Sequence, residues 1–105
     1  MTTFDSVWSQ LQNSLKPGRA IKNWTVLRGY LGDTMKITGV RSGYIEVDAP
    51  NASTTQVISK EDFEKVWEIW PEYNGGKFPR YQIRDMTRFS KYIISIMHWA
   101  EQEKE

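Results

Sequence analysis

Thr34-Met35-Lys36-Ile37-Thr38-Gly39-Val40-Arg41-Ser42-Gly43-Tyr44-Ile45-Glu46-Val47 reads as two β arms closed around Arg41-Ser42-Gly43. In the second arm Tyr44, Glu46 and Asp48 alternate with Ile45 and Val47, so one face is apolar and the other wet. Upstream, Ile21 to Leu31 has the same β-rich texture and forms one or two further strands. Gly29 and Gly32 mark a bend or bulge there. Downstream, Ala49-Pro50-Asn51 is a turn and Thr55 to Ile58 a short last strand.

Helical periodicity flanks this β region on both sides. Phe4, Val7, Trp8, Leu11 and Leu15 fall on one stripe of a 3.6-residue period, and Pro17-Gly18 stops the helix they predict over residues 4–15. Ser59-Lys60-Glu61-Asp62 resembles a capping box with Asp for Glu, and Ile58 with Phe63 has staple spacing. The helix it opens buries Phe63, Val66, Trp67 and Trp70. It is expected to end at Pro71, because a residue before proline is pushed out of helical geometry. Asn74-Gly75-Gly76 is a loop, and an extended or irregular stretch follows Pro79 to Asp85. A last helix runs from about Thr87 to Gln102 on Phe89, Tyr92, Ile93, Ile96, Met97 and Ala100. The expectation is one α+β domain over residues 1–105: an N-terminal helix, an antiparallel sheet of three to four strands, and two C-terminal helices packed on it.

Composition narrows the chemistry. In 105 residues there is no cysteine and one histidine, which excludes a disulfide scaffold and a thiol nucleophile and removes most zinc and triad chemistry. Lys+Arg 14 against Asp+Glu 13 leaves a net charge of +1, so no global field points to nucleic acid or membrane. Residues 1–16 carry no signal-peptide apolar core and nothing approaches the ~20 apolar residues of a membrane span. A cytoplasmic protein without membrane contact is expected. The sequons Asn23-Trp24-Thr25 and Asn51-Ala52-Ser53 are chance matches on that reading. No metal site and no cofactor are implied. Gly75-Gly76 lacks the spacing of a phosphate loop.

Local features define candidate surfaces. Residues 60–76 hold two bases and five acids, whereas 77–91 hold Lys77, Arg80, Arg84, Arg88 and Lys91 against Asp85 alone. Arg88 and Lys91 are expected in the first turn of the last helix, beside free N–H donors that suit anions. Phe78, Tyr81 and Phe89 interleave with these bases, as stacking on single-stranded nucleic acid requires. The plainer reading of the same residues is a solvated segment pairing with the acidic helix. Five Trp, five Tyr and four Phe are a surplus for so small a domain. Ile94 and Trp99 lie off the core stripe and would serve a homodimer or higher oligomer interface. A small-molecule pocket lined by Trp24, Tyr30, Trp67 and Trp70 is the other use of the surplus. His98 reads as a partly exposed helix residue near Glu101 and Gln102. Asp33, Glu46 and Asp48 are carboxylates that a hairpin brings within reach, a common arrangement on wet sheet faces.

Ser59-Lys60-Glu61-Asp62-Phe63, Val66-Trp67, Trp70, Tyr73, Gly76, Arg80 and Ser90-Lys91-Tyr92-Ile93-Ile94-Ser95-Ile96 together carry a resemblance. Over residues 59–99 the chain resembles small α+β integron cassette proteins of the mobile metagenome. The resemblance implies a bacterial cytoplasmic accessory protein, often oligomeric, and supplies no catalytic residues. From the aromatic surplus and the absence of catalytic residues, the first expectation is a non-enzymatic binding module that self-associates. Nucleic-acid binding through 77–91 is the alternative, and a ligand-binding or enzymatic pocket under the tryptophans is a further one.

Overall fold

A computed structural model describes residues 3–26, 28–49, 53–77 and 80–103; the side chains of Arg80, Tyr81 and Glu103 fall outside the description. In chain order the elements are α1 (Phe4–Ser14), β1 (Ala20–Thr25), β2 (Gly29–Val40), β3 (Tyr44–Asp48), β4 (Gln56–Ser59), α2 (Lys60–Asn74), α3 (Arg80–Met86) and α4 (Ser90–Glu103). The strands form one antiparallel meander in the order β1-β2-β3-β4. The α+β class, the leading helix, the four-stranded sheet and the C-terminal helices on it stand as expected from the patterning.

The hairpin arms pair Ile37 with Val47 and Val40 with Ile45, all on the face turned to the helices. The buried side chains Ile21, Met35, Ile37, Ile45, Val47 and Ile58 meet the α1 stripe of Phe4, Val7, Trp8, Leu11 and Leu15. Trp8 is then fixed by its indole N–H, which donates to the Ser42 carbonyl in the β2–β3 turn at 2.9 Å. Thr3 Oγ1 caps α1 by accepting from Ser6 N–H at 3.2 Å, and Ser59 Oγ caps α2 from Asp62 N–H at the same distance.

Four local expectations are corrected. The α2 helix does not end at Pro71 but continues to Asn74. The proline removes one backbone donor, and tertiary bonds beyond it hold the last turn. Tyr73 is buried and its hydroxyl accepts from Val26 N–H at 3.2 Å, while Trp70 and Asn74 both donate to Glu101, at 2.9 and 3.3 Å. The stretch before Asp85 is not extended: it is α3, anchored by the fully buried Ile83. Trp67, expected in the buried stripe, is only half-buried, and Tyr73 takes its place. Finally, α4 starts at Ser90, so Arg88 precedes the helix and only Lys91 lies in its first turn. The turn residues Pro50 and Asn51, with the second sequon's Asn51 and Ala52, lie outside the described residues. Asn23 of the first sequon is buried.

The aromatic surplus is largely absorbed by this core. Ile94, expected on an outer flank, is completely buried. The reason is that α4 packs on β1 while α1, α2 and α3 all contact it as well, covering both of its flanks. Trp99 is half-buried against the core with the Arg19 guanidinium 5.3 Å from its ring centroid.

Candidate functional site

A cluster of polar and aromatic side chains gathers where α4 crosses β1 and the start of β2. Lys22 pairs with Thr34 and Trp24 with Tyr30, so Asn23 alone faces Leu31, Gly32 and Asp33. This bulge needs Gly32, whose φ of +98° lies in the region that side chains with a Cβ avoid. The bulge swings Asp33 back toward its own sheet. Asn23 Nδ2 donates to Asp33 Oδ1 at 3.0 Å, and Lys91 Nζ reaches Asp33 Oδ2 at 3.4 Å. On the other side Ser95 Oγ donates to Asn23 Oδ1 at 3.2 Å and accepts from the Trp24 N–H at 3.0 Å. A line of hydrogen bonds therefore ties α4 to β1 and to the bulge. The Asn23 hydrogen bond, with Lys91 assisting, holds the Asp33 carboxyl below the usual carboxylate range.

One turn along α4, His98 lies flat on Trp24, with ring centroids 3.7 Å apart and planes 6° from parallel. Tyr30 meets the imidazole edge-on at 5.6 Å, and its hydroxyl shares a 3.2 Å hydrogen bond with Nε2. Partial burial lowers the His98 pKa below the ordinary imidazole value, with the nearby Glu101 charge opposing the shift. The shift favours the neutral imidazole. Tyr30 itself is 57% exposed, with the Lys22 ammonium 5.7 Å from its ring centroid.

Two clefts adjoin this tyrosine and share it and Lys22. One, of about 300 Å³, runs between Arg19, Lys22 and Tyr30 on the sheet side and His98, Trp99 and Gln102 on α4. The other, of about 350 Å³, lies over Gly32, Asp33 and Thr34. Among the described residues no carboxylate lines the first, and Asp33, already engaged by Asn23 and Lys91, is the one lining the second.

The four aromatics expected to share a pocket are divided between two places. Trp24 and Tyr30 belong to the His98 cluster, whereas Trp67 and Trp70 line a separate cleft of about 110 Å³ with Gln10, Met97 and Glu101. The basic segment is also dispersed. Lys77, Arg84 and Arg88 are exposed, and Arg88 lies 4.9 Å over its neighbour Phe89, which is itself buried. Lys91 turns to Asp33 on the sheet and not to the acidic helix. Phe78 and the side chains of Arg80 and Tyr81 lie outside the described residues. Asp33, Glu46 and Asp48 do not converge: Asp48 stands opposite Lys36, and Glu46 lies between Gly39 and Val57. Among the described residues no group of three or more His, Asp or Glu is placed to hold a metal ion, and no helix is long and apolar enough to cross a membrane.

Arg19, Lys22, Ser95 and Gln102 did not stand out in the sequence, and His98 was read with its helical neighbours. The available signal was the pair Gly29 and Gly32, which marked the irregularity around which the site is built. No family model, curated protein or solved structure matches this chain.

Proposed function

We propose that this chain is a non-enzymatic binding module whose ligand site is the cleft between α4 and the start of β2. Tyr30 is the observation that carries this reading. A large aromatic ring left more than half exposed is held in place by its hydroxyl bond to His98, between two clefts of small-ligand size. Fixing that ring before binding lowers the ordering cost of association. The surrounding hydrogen bonds serve rigidity: Asn23, Ser95 and Asp33 satisfy one another and not a reacting group. Among the described residues no carboxylate lines the cleft beside His98, although the Glu101 charge acts on it from nearby. A bacterial accessory role, as the resemblance to integron cassette proteins implies, accords with such a module.

The test is a thermal-shift screen of sugars, amino acids, aliphatic carboxylates, aromatic heterocycles and nucleotides against the native protein and Tyr30→Ala. At least one class is expected to raise the melting temperature of the native protein alone. Saturation at a hundred times Kd corresponds to about 2.7 kcal/mol of added stability. A silent panel, or a response that survives in Tyr30→Ala, would overturn the reading.

A further inference from the structure

We infer that the Tyr30 cleft takes a nucleotide, with its base stacked on the tyrosine and its phosphate held by Lys22 and Arg19. The inference rests on the reading of this cleft as the ligand site and adds the ligand's chemical class. Three observations meet here. The exposed ring is a stacking platform tethered through its hydroxyl to His98, with the Lys22 ammonium over one face. Beside it stand two cations of different kinds. Lys22 is a flexible point charge already near the ring, whereas the Arg19 guanidinium is oriented by the face of Trp99. Among the described residues no carboxylate lines the cleft the two cations share, and in the adjoining one Lys22 stands with Asp33, which Asn23 and Lys91 already engage. Third, the two clefts share Tyr30 and Lys22, so a base in one leaves adjoining room for a sugar-phosphate or a second base in the other.

Competing ligand classes fit less of this arrangement. A neutral sugar could stack on tyrosine but would leave the two positive charges of Lys22 and Arg19 without a counter-charge. An aliphatic carboxylate would use the cations and leave the ring idle. A nucleotide uses both, and the Gln102 side-chain amide at the cleft margin offers a donor and an acceptor to a base edge. Free nucleotides and single strands present the same chemistry, and the measurement separates them.

The experiment titrates AMP, adenosine and inorganic phosphate by tryptophan fluorescence. Alongside, labelled DNA and RNA single strands of about ten nucleotides are followed by anisotropy at two salt concentrations. The proteins are the native chain, Tyr30→Ala, Tyr30→Phe and Lys22→Ala, each checked for folding by circular dichroism. AMP is expected to bind more tightly than adenosine. Tyr30→Ala should weaken base-containing ligands by about 5- to 150-fold, the range of one lost stacking contact. Tyr30→Phe, which keeps the ring, should retain most of the affinity. Lys22→Ala should reduce the salt slope of strand binding by about 1. Strands that bind much more tightly than AMP identify single-stranded nucleic acid as the source; equal affinities identify the free nucleotide.

Several results would overturn the inference. AMP no tighter than adenosine removes the phosphate contact. Binding indifferent to both Tyr30→Ala and Lys22→Ala moves nucleotides elsewhere, with Arg84 and Arg88 the next residues to change. Silence toward nucleotides while another class in the screen binds through Tyr30 defeats the nucleotide assignment and leaves the ligand site standing. Silence toward every class defeats both.

Discussion

At Nε2 of His98 the Tyr30 hydroxyl stands 3.2 Å away, while the flat of the ring lies on Trp24, and these two contacts set how the residue titrates. Partial burial disfavours the imidazolium, so the folded pKa lies below the ordinary 6.5, although Glu101 pulls the other way. Between that lowered value and 6.5 the unfolded chain binds the extra proton. Stability from this group is therefore fully present above 6.5 and declines as pH falls, until the folded value is passed. Melting temperature of the native protein should fall as pH drops below 6.5. His98→Phe, which keeps a flat ring against Trp24, should show a shallower fall. Asp33 titrates lower still, because its folded pKa is depressed below 3.8, and does not interfere in this window. Equal slopes in the two proteins would assign the acid sensitivity to another group. None of this was legible from position alone. The sequence placed His98 with Glu101 and Gln102, its neighbours on the helix, whereas Tyr30 lies 68 residues away and is delivered by the β1–β2 pairing.

Element by element, legibility followed length and cap chemistry. The α1 stripe, the hairpin around Arg41-Ser42-Gly43 and the Ser59 cap of α2 were all readable, because each carries either several turns of periodicity or a specific local bond. The seven-residue α3 was not, since fewer than two full turns leave little period to detect. The end of α2 was misread for a different reason: a proline predicts a stop only where nothing further along repays its missing hydrogen bond. Tyr73 supplies part of that repayment. Its hydroxyl takes the Val26 N–H from the end of β1, and the side chain is 1% exposed. Tyr73→Phe keeps the ring but leaves that backbone donor without a protein partner. A loss of about 1–3 kcal/mol is expected, read from urea denaturation with an unchanged m-value. A change below a few tenths would show that water replaces the hydroxyl there.

For the molecule as a whole, the question is where fourteen aromatic side chains go, a sum taken over five Trp, five Tyr and four Phe. Phe4, Trp8, Phe63, Trp70, Tyr73 and Phe89 enter the core, and Trp24, Trp67, Tyr92 and Trp99 pack along its margins. Much of what composition presented as an interface is interior: of the two residues expected at a dimer seam, Ile94 is buried and Trp99 is half-buried. The exposed large apolar side chains among the described residues are Tyr30, Leu31 and Val57. They do not join into one patch. Tyr30 and Leu31 sit at the bulge beside β1, whereas Val57 is on β4 at the other edge of the sheet. A stable homodimer usually buries about 800 Å² on each partner around a contiguous apolar centre, and these three residues provide no such centre. If the described residues carry the whole exposed apolar surface, sedimentation velocity at tens of micromolar should give one species near 12.3 kDa. A dimer would contradict this, and its response to substitution would locate the seam. Dissociation on Tyr30→Ala would mean that the cleft proposed for a ligand is filled by a second copy. Dissociation on Val57→Lys would place the contact on the β4 edge and leave the cleft free to bind.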